Sequence, residues 1–325
     1  MGARVDNFSL VKVPYLDLEP MEKVDAKRGL EFTRDSGVEI TIATNAGACF
    51  GVVRAIKLGY QAIAKAQTSR RPIYSFGPLI HNPHVVKEMK EKGVVTVSGP
   101  NEVDEGTVVL RSHGVQKEAE SNLRQRGIQI VDATCPLVKK PQRIAKSLGE
   151  KSIFLILVGD ANHPEVQGVV SYYASPNYLV TYCADDLGKI PSEVRRVGIL
   201  AQTTIEAKVF EAVVQKAKER FEEVQTFNTI CDATSIRQTE AVTLAQTADV
   251  LVVVGGRNSS NTNKLVKICK SFQENTYHIE DSQEIDPAWF QGKRKIGITG
   301  GASTPHEFVD AVGNYIANLI QPSEA

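Results

Sequence analysis

No stretch of this chain stays apolar for long enough to cross a membrane, so no spanning segment is expected. The start, MGARVDNFSLVKVPYLDLEP, lacks the basic-then-apolar layout of a secretory signal. The first 40 residues are also too rich in Asp and Glu for an organellar transit peptide. MGARVD opens like a myristoylation signal but carries Asp6 where Ser or Thr is needed. A charge excess is missing too: Lys plus Arg and Asp plus Glu both number 38. That balance excludes bulk attraction to nucleic acid, so any anion must be held by local groups. Cysteine is scarce, five residues in 325, an odd number with no local CxxC pair. Such scattered cysteines are expected to be reduced thiols of a cytoplasmic protein. A dinucleotide fingerprint is absent as well, because the glycines of VVVGGRNSSN do not make GxGxxG.

What the chain does have is repetition. With 42% hydrophobic residues it has enough apolar material for two or three α/β units. Beyond about residue 38, strand-like runs alternate with helix-like ones, which predicts parallel sheets of the α/β class. Three cysteines stand at the end of a strand-like run and the start of a helix-like one. They are Cys49 in TIATNAGACFGVVRAI, Cys135 in IQIVDATCPLVKK and Cys231 in TFNTICDATSIRQ, 86 and 96 residues apart. Two further sets of loop-to-helix corners keep nearly the same interval. One set holds His113, Thr203 and Ser303; the other holds His81, His163 and Ser259. Each third of the chain therefore supplies one cysteine and two polar corners. The expected division is an extension over 1–38 and units over 39–135, 136–227 and 228–325, with residues 39–50 packing on the third unit.

In parallel α/β sheets ligands bind beyond the carboxyl ends of the strands, at helix N-termini. Three such units around one axis would bring their corners to a shared cavity. Helix amides, Ser hydroxyls and His rings are all donors, and together they suit a multiply charged anion such as a diphosphate. A single Ser, Thr or Asn corner reads more readily as a helix cap, but the run Ser259, Ser260, Asn261 beside three matched histidines favours binding. Three converging thiolates leave several metals open. Structural zinc wants a fourth ligand and local ligand pairs, whereas catalytic zinc would keep an open position. A 4Fe-4S cluster bound by three cysteines leaves one iron open. Cys183, alternating in YLVTYCADD, and Cys269, on KLVKICKSF, read as core. His278 reads as structural and His306 as a first-turn residue, capping or near the anion. Of His81 and His84, His81 is preferred as the loop-facing member. Arg257 and Lys264 flank the serine run and read as solvated. Glu165, two residues from His163, is costly beside an anion unless it is protonated or transfers a proton.

The motifs ACFGVVRAI, LIHNPHVV, RSHGV, DATCPLV, HPEV, QTT, ICDATSIRQ, NSSNTNKL and GGAS follow one another in this order. In that order the chain resembles the 4-hydroxy-3-methylbut-2-enyl diphosphate reductases of the non-mevalonate isoprenoid route, over residues 39 to 320. The resemblance implies a cloverleaf of three similar α/β domains in pseudo-threefold arrangement around a 4Fe-4S cluster held by Cys49, Cys135 and Cys231. It implies a diphosphate held by His81, His113, His163, Ser259, Ser260, Asn261 and Ser303. Glu165 and Thr203, with His163, would stand at the reacting end, where the open iron takes the substrate hydroxyl. Electrons would come singly from a ferredoxin or flavodoxin. Two positions depart from the common pattern, Ala48 in place of an aromatic residue and Ala46 in place of Arg. The rival to an enzyme is a cluster-bearing sensor of a phosphorylated ligand, which gives Glu165 and Thr203 no role.

Overall fold

The computed structural model describes residues 30–33, as backbone only, and 37–320. The expected extension over 1–38 therefore lies mostly outside the described residues. Three sheets make up the rest. The first contains β3 (Ile73–Phe76), β4 (Val94–Val97), β5 (Thr107–Leu110) and β6 (Gln129–Asp132), in the order β4-β3-β5-β6. The second contains β7 (Phe154–Val158), β8 (Tyr178–Thr181), β9 (Arg196–Ala201) and β10 (Glu223–Phe227), in the order β8-β7-β9-β10. The third contains β11 (Val250–Val254), β12 (Thr276–Ile279) and β13 (Lys295–Gly300), and its fourth place is taken by β2 (Glu39–Ile42) from the other end of the chain. Each sheet thus has the same parallel order, second-first-third-fourth, and the third closes the circle by pairing β2 with β13.

The first strands of the second and third sheets are apolar throughout. VLVVV of β11 is buried at every position, and LILV of β7 likewise. Burial on both faces is what a parallel sheet covered by helices on either side demands. One strand breaks the pattern: β1 (Leu30–Thr33), within the expected extension, pairs antiparallel to β2 and makes the third sheet five-stranded. The regular alternation of strand and helix beyond residue 38 carries no sign of this edge strand.

Three helices carry the chain from one sheet to the next. After β2 of the third sheet, α1 (Phe50–Ser69) packs on β3, β5 and β6 of the first. It buries Val52, Ala55, Ile56, Gly59, Ala62 and Ile63 at helical spacing, and Arg70 ends it with φ of 52°. After β6, α4 (Pro136–Glu150) packs on β7 and β9 of the second sheet. After β10, α7 (Asp232–Thr247) packs on β11 and β13 of the third. The residue before each of these helices is a cysteine. The three cysteines are therefore equivalent in topology, each at the point where the chain leaves the fourth strand of one sheet for the next.

Candidate functional site

The loops that follow the first and third strands of each sheet lie at its topological switch point, where neighbouring connections run to opposite sides and open a crevice. His81, His163 and Ser259 follow the first strands β3, β7 and β11. His113, Thr203 and Ser303 follow the third strands β5, β9 and β13. All six line one half-open cavity, which encloses about 700 Å³ counting its mouth. Cys49, Cys135 and Cys231 line it too, as do Ser260, Asn261 and Glu165. Every residue named for the cluster, the diphosphate or the reacting end is in this one cavity.

One pole of the cavity belongs to the thiols. Each cysteine occupies the N-cap position of its helix without using its side chain as a cap. The three are partly exposed. Gly51 makes their approach possible, since a Cβ there would stand 2.5 Å from Cys135 Sγ and 3.9 Å from Cys49 Sγ. Burial pushes the Cys135 and Cys231 thiols up, and the neighbouring Cys49 pushes the same way. A thiol so placed deprotonates when a metal takes the proton's place. Among the described residues, no three or more Cys, His, Asp or Glu side chains close on a point fit for a single metal ion. A polynuclear cluster needs one thiolate per iron, and three thiols at equivalent helix N-termini on one cavity supply three. The donor set fits such a cluster.

The other pole is polar: Glu165, Thr203, Ser259, Asn261 and Ser303 are buried, and the three histidines are half-buried. The rings of His81 and His113 have centroids 4.0 Å apart, and His163 stands 5.9 Å from the first and 6.0 Å from the second. Burial holds all three imidazoles below their ordinary value, His163 to about 4. His163 Nδ1 accepts the Glu165 backbone N–H at 3.2 Å and so caps α5 (Pro164–Ser171). That acceptor role puts the proton of the neutral ring on Nε2, which makes Nε2 a donor. His81 Nε2, His113 Nδ1 and both amide atoms of Asn261 are buried without a hydrogen-bond partner. Native proteins rarely leave such atoms unpaired, so a cluster of them in one cavity marks the place of a polar ligand. Ser259 caps α8 (Ser260–Phe272) through Thr262 N–H and also accepts from Ser303 Oγ at 3.3 Å. Cap and cavity wall are thus the same residue here.

Glu165 does not cap its helix. It is 2% exposed, and its carboxylate accepts the Thr203 backbone N–H and the Thr203 hydroxyl, both at 2.7 Å. Burial raises its pKa, while the two Thr203 bonds oppose the shift. A buried carboxyl hydrogen-bonded to a hydroxyl on the cavity wall is equipped to hold a proton and pass it on.

Among the remaining singled-out side chains, Cys183, His306 and Lys264 depart from expectation and the others do not. Cys183 is exposed, not core: β8 ends at Thr181, and the alternation that placed Cys183 inside stops with it. Cys269 is buried as expected. His306 does not line the cavity; its Nδ1 lies 2.9 Å from the Ala46 carbonyl, over Gly47. His84 and His278 also engage backbone carbonyls, of Glu280 and Gly255. Arg257 is exposed and ion-paired with Glu280 and Glu284. Lys264 is half-buried rather than solvated, with its ammonium 5.4 Å above the Tyr182 ring and its charge felt by Glu165.

The sequence reading missed two contributors. Thr204 lines the cavity and shares a 3.0 Å hydrogen bond with Ser260; its place in the QTT motif was the available signal. Arg237 is buried behind the thiols, donating at 2.7 Å to the carbonyls of Gly47 and Ala233. It lies close enough to Cys49 and Cys231 to sense their charge. Nothing in a helical sequence tells a buried arginine from a solvated one.

Comparison with known proteins agrees with this geometry. The profile of the LytB protein family matches residues 40–317. A 4-hydroxy-3-methylbut-2-enyl diphosphate reductase of Geobacter metallireducens is 43% identical over 85% of this chain and 95% of its own length. One of Aquifex aeolicus is 41% identical over 87% of this chain and 98% of its own length. Two solved structures are similar in fold. The first, of (E)-4-hydroxy-3-methyl-but-2-enyl diphosphate reductase, described as the terminal enzyme of the non-mevalonate pathway, has a TM-score of 0.65 at 42% identity. It covers 86% of this chain and 99% of that one. The second, the reductase from Plasmodium falciparum, has a TM-score of 0.78 at 26% identity over 88% of each chain. The chain belongs to the LytB protein family.

Proposed function

We propose that this protein reduces 4-hydroxy-3-methylbut-2-enyl diphosphate, removing the allylic hydroxyl to give isopentenyl and dimethylallyl diphosphates. The observation that carries the reading is the make-up of one cavity. Three equivalent thiols face it, together with buried polar atoms that lack partners and a buried carboxyl whose pKa burial raises. Cys49, Cys135 and Cys231 would hold a 4Fe-4S cluster, which supplies electrons and a Lewis acid when bound. His81, His113, His163, Ser259, Ser260, Asn261 and Ser303 offer donors to the diphosphate. Its charge answers the orphaned His81, His113 and Asn261 atoms, at a site with no arginine fork among the cavity's lining residues. Glu165 supplies the proton that lets the allylic oxygen leave as water, and the Thr203 hydroxyl, 2.7 Å from it, relays that proton. His163 caps α5 from beneath and fixes Glu165 at the cavity wall.

The two electrons and two protons of this reduction require a donor, and a one-electron carrier of the ferredoxin or flavodoxin class fits a site without a nucleotide fingerprint. Among the described residues no helix is long and apolar enough to cross a membrane. The test is turnover: protein purified without oxygen and supplied with a chemically reduced dye should convert the allylic diphosphate into both five-carbon products. A protein that binds the diphosphate and carries a cluster, yet consumes no substrate, would instead be the sensor.

A further inference from the structure

The three cysteines are tethered alike by their backbone. The N–H groups of Cys49, Cys135 and Cys231 donate to the carbonyls of Ala302, Ser112 and Thr203, each in the loop after the third strand of a sheet. Arginines add a second kind of tie. Arg54 of α1 donates to the carbonyls of Thr134 and Asp132, just before Cys135, at 3.2 and 3.4 Å. Arg237 of α7 donates at 2.7 Å to the carbonyl of Gly47, just before Cys49. In both cases the helix that starts at one cysteine holds the loop that delivers another.

The two arginines differ in their surroundings. Arg54 is half-buried, whereas Arg237 is 5% exposed. Helical side chains lean toward the helix N-terminus. Arg237 therefore lies back over the first turn of α7, which Cys231 opens, and donates to the Ala233 carbonyl at 2.7 Å. Its Nε is buried without a partner, and its other two nitrogens go to carbonyls, so no carboxylate neutralises it directly. Glu240, one turn further along α7, gives its two oxygens to the N–H groups of Thr44 and Asn45 at 2.6 and 2.8 Å, in the same loop before Cys49. From the opposite side His306 closes over Gly47, whose φ of 101° suits glycine. Burial pulls the Arg237 guanidinium below the usual arginine range, and the charges of Cys49, Cys231 and Glu240 oppose that shift. A buried cation with an idle N–H is costly unless an anion completes its surroundings.

We infer that Arg237 is a positioning residue for the cluster: it fixes the Cys49 loop on α7 and sets a permanent positive charge beside two of the three ligands, raising the reduction potential there. The inference rests on the cluster that the reductase reading places at these thiols. Adding one electron to a bound cluster adds one negative charge, and arginine stays protonated throughout, so no proton need follow. A fixed cation in a water-poor site stabilises the more negative, reduced form. The charge of half-buried Arg54 is screened by solvent and contributes less.

The experiment compares the cluster-loaded full chain with Arg237→Gln and Arg237→Lys, all prepared without oxygen. Iron content is measured, and the cluster is titrated with dithionite in the presence of redox mediators while its reduced-state paramagnetic resonance is followed. Arg237→Gln should move the one-electron equilibrium about tenfold toward the oxidised form, a shift of about 59 mV to lower potential. Arg237→Lys keeps the charge and should stay within about twofold of the unaltered protein. An Arg237→Gln equilibrium within about twofold of the unaltered protein would overturn the inference, as would equal shifts in both variants. Should Arg237→Gln fold by circular dichroism yet hold no iron, Arg237→Lys decides: iron with an unshifted potential upholds the inference, whereas a lowered potential or no iron overturns it. The potential is read whether or not substrate is consumed. A shifted potential in a loaded protein that leaves the allylic diphosphate intact would sink the reductase reading alone.

Discussion

The two poles of the cavity are built from the same repeated unit and do opposite things. At the thiol pole the cysteines are partly exposed, with buried Arg237 and its unpaired Nε behind them. At the donor pole Glu165, Thr203, Ser259 and Asn261 are buried, and polar atoms of His81, His113 and Asn261 lack partners. Topology explains the difference. The thiols follow the fourth strand of each sheet, where the chain crosses to the next sheet near the surface. The donors follow the first and third strands, deep in the switch-point crevice. One fold thus sets three partly exposed thiols apart from the buried polar side chains of the first and third loops.

That separation can be broken at each pole in turn. The largest effects are expected at the thiols. Cys49→Ser, Cys135→Ser and Cys231→Ser should each lose iron and the visible absorbance of a cluster, and activity with it, when prepared anaerobically. Cys183→Ser and Cys269→Ser should keep all three properties, because one side chain is at the surface and the other is in the core of the third unit. Full iron content in any of the first three would remove that residue from the ligand set.

Next comes the donor pole. Asn261→Ala removes an amide whose two polar atoms are buried and unpaired. It should weaken substrate binding by about 1 to 3 kcal/mol, the cost of a hydrogen bond to a charged group, and leave iron content unchanged. Arg257→Ala, at an exposed arginine already paired with Glu280 and Glu284, should change affinity little. A larger loss from Arg257→Ala than from Asn261→Ala, by titration of the substrate, would contradict a grip made of neutral donors.

The smallest expected effect is a pH dependence of stability. Burial holds His163 at about 4, below the 6.5 of an unhindered ring. Between those values the unfolded chain binds a proton that the native cavity refuses, so stability rises with pH there. The contribution is present in full above about pH 6.5 and is lost as pH falls toward 4. Melting temperatures of cluster-free protein should therefore drop over that window. His163→Asn keeps a cap acceptor for α5 without a titrating ring, and should drop less. An equal drop in both proteins would assign the acid sensitivity elsewhere.

The thiol pole and the donor pole were also unequally legible in the sequence. Cysteines and polar corners repeat at a nearly fixed interval, and equivalent topology turns that interval into convergence, so the residues that share the cavity were readable from their spacing. Side-chain environment was not. Cys183 continued a strand-like alternation that the backbone ends at Thr181. Lys264 read as solvated and Arg237 drew no reading, although packing of α8 and α7 half-buries the first and buries the second. The edge strand β1 gave no signal either, since a four-residue strand paired on one side lacks the long apolar run of β7 or β11. Repetition reveals topology, whereas burial depends on neighbours that are distant in the sequence.

Glu165 is where the account is most exposed to test. The buried carboxyl, bonded twice to Thr203, is assigned the proton that releases the allylic oxygen. Burial disfavours its charged form, so the neutral isostere in Glu165→Gln should fold at least as stably at neutral pH. The decisive measurement is dye-driven turnover of Glu165→Gln with a fully assembled cluster and known substrate affinity. The account predicts normal iron content, affinity within a few-fold of the unaltered protein, and turnover lower by about 10² or more, the scale of a lost general acid. Near-normal turnover in that variant would contradict it.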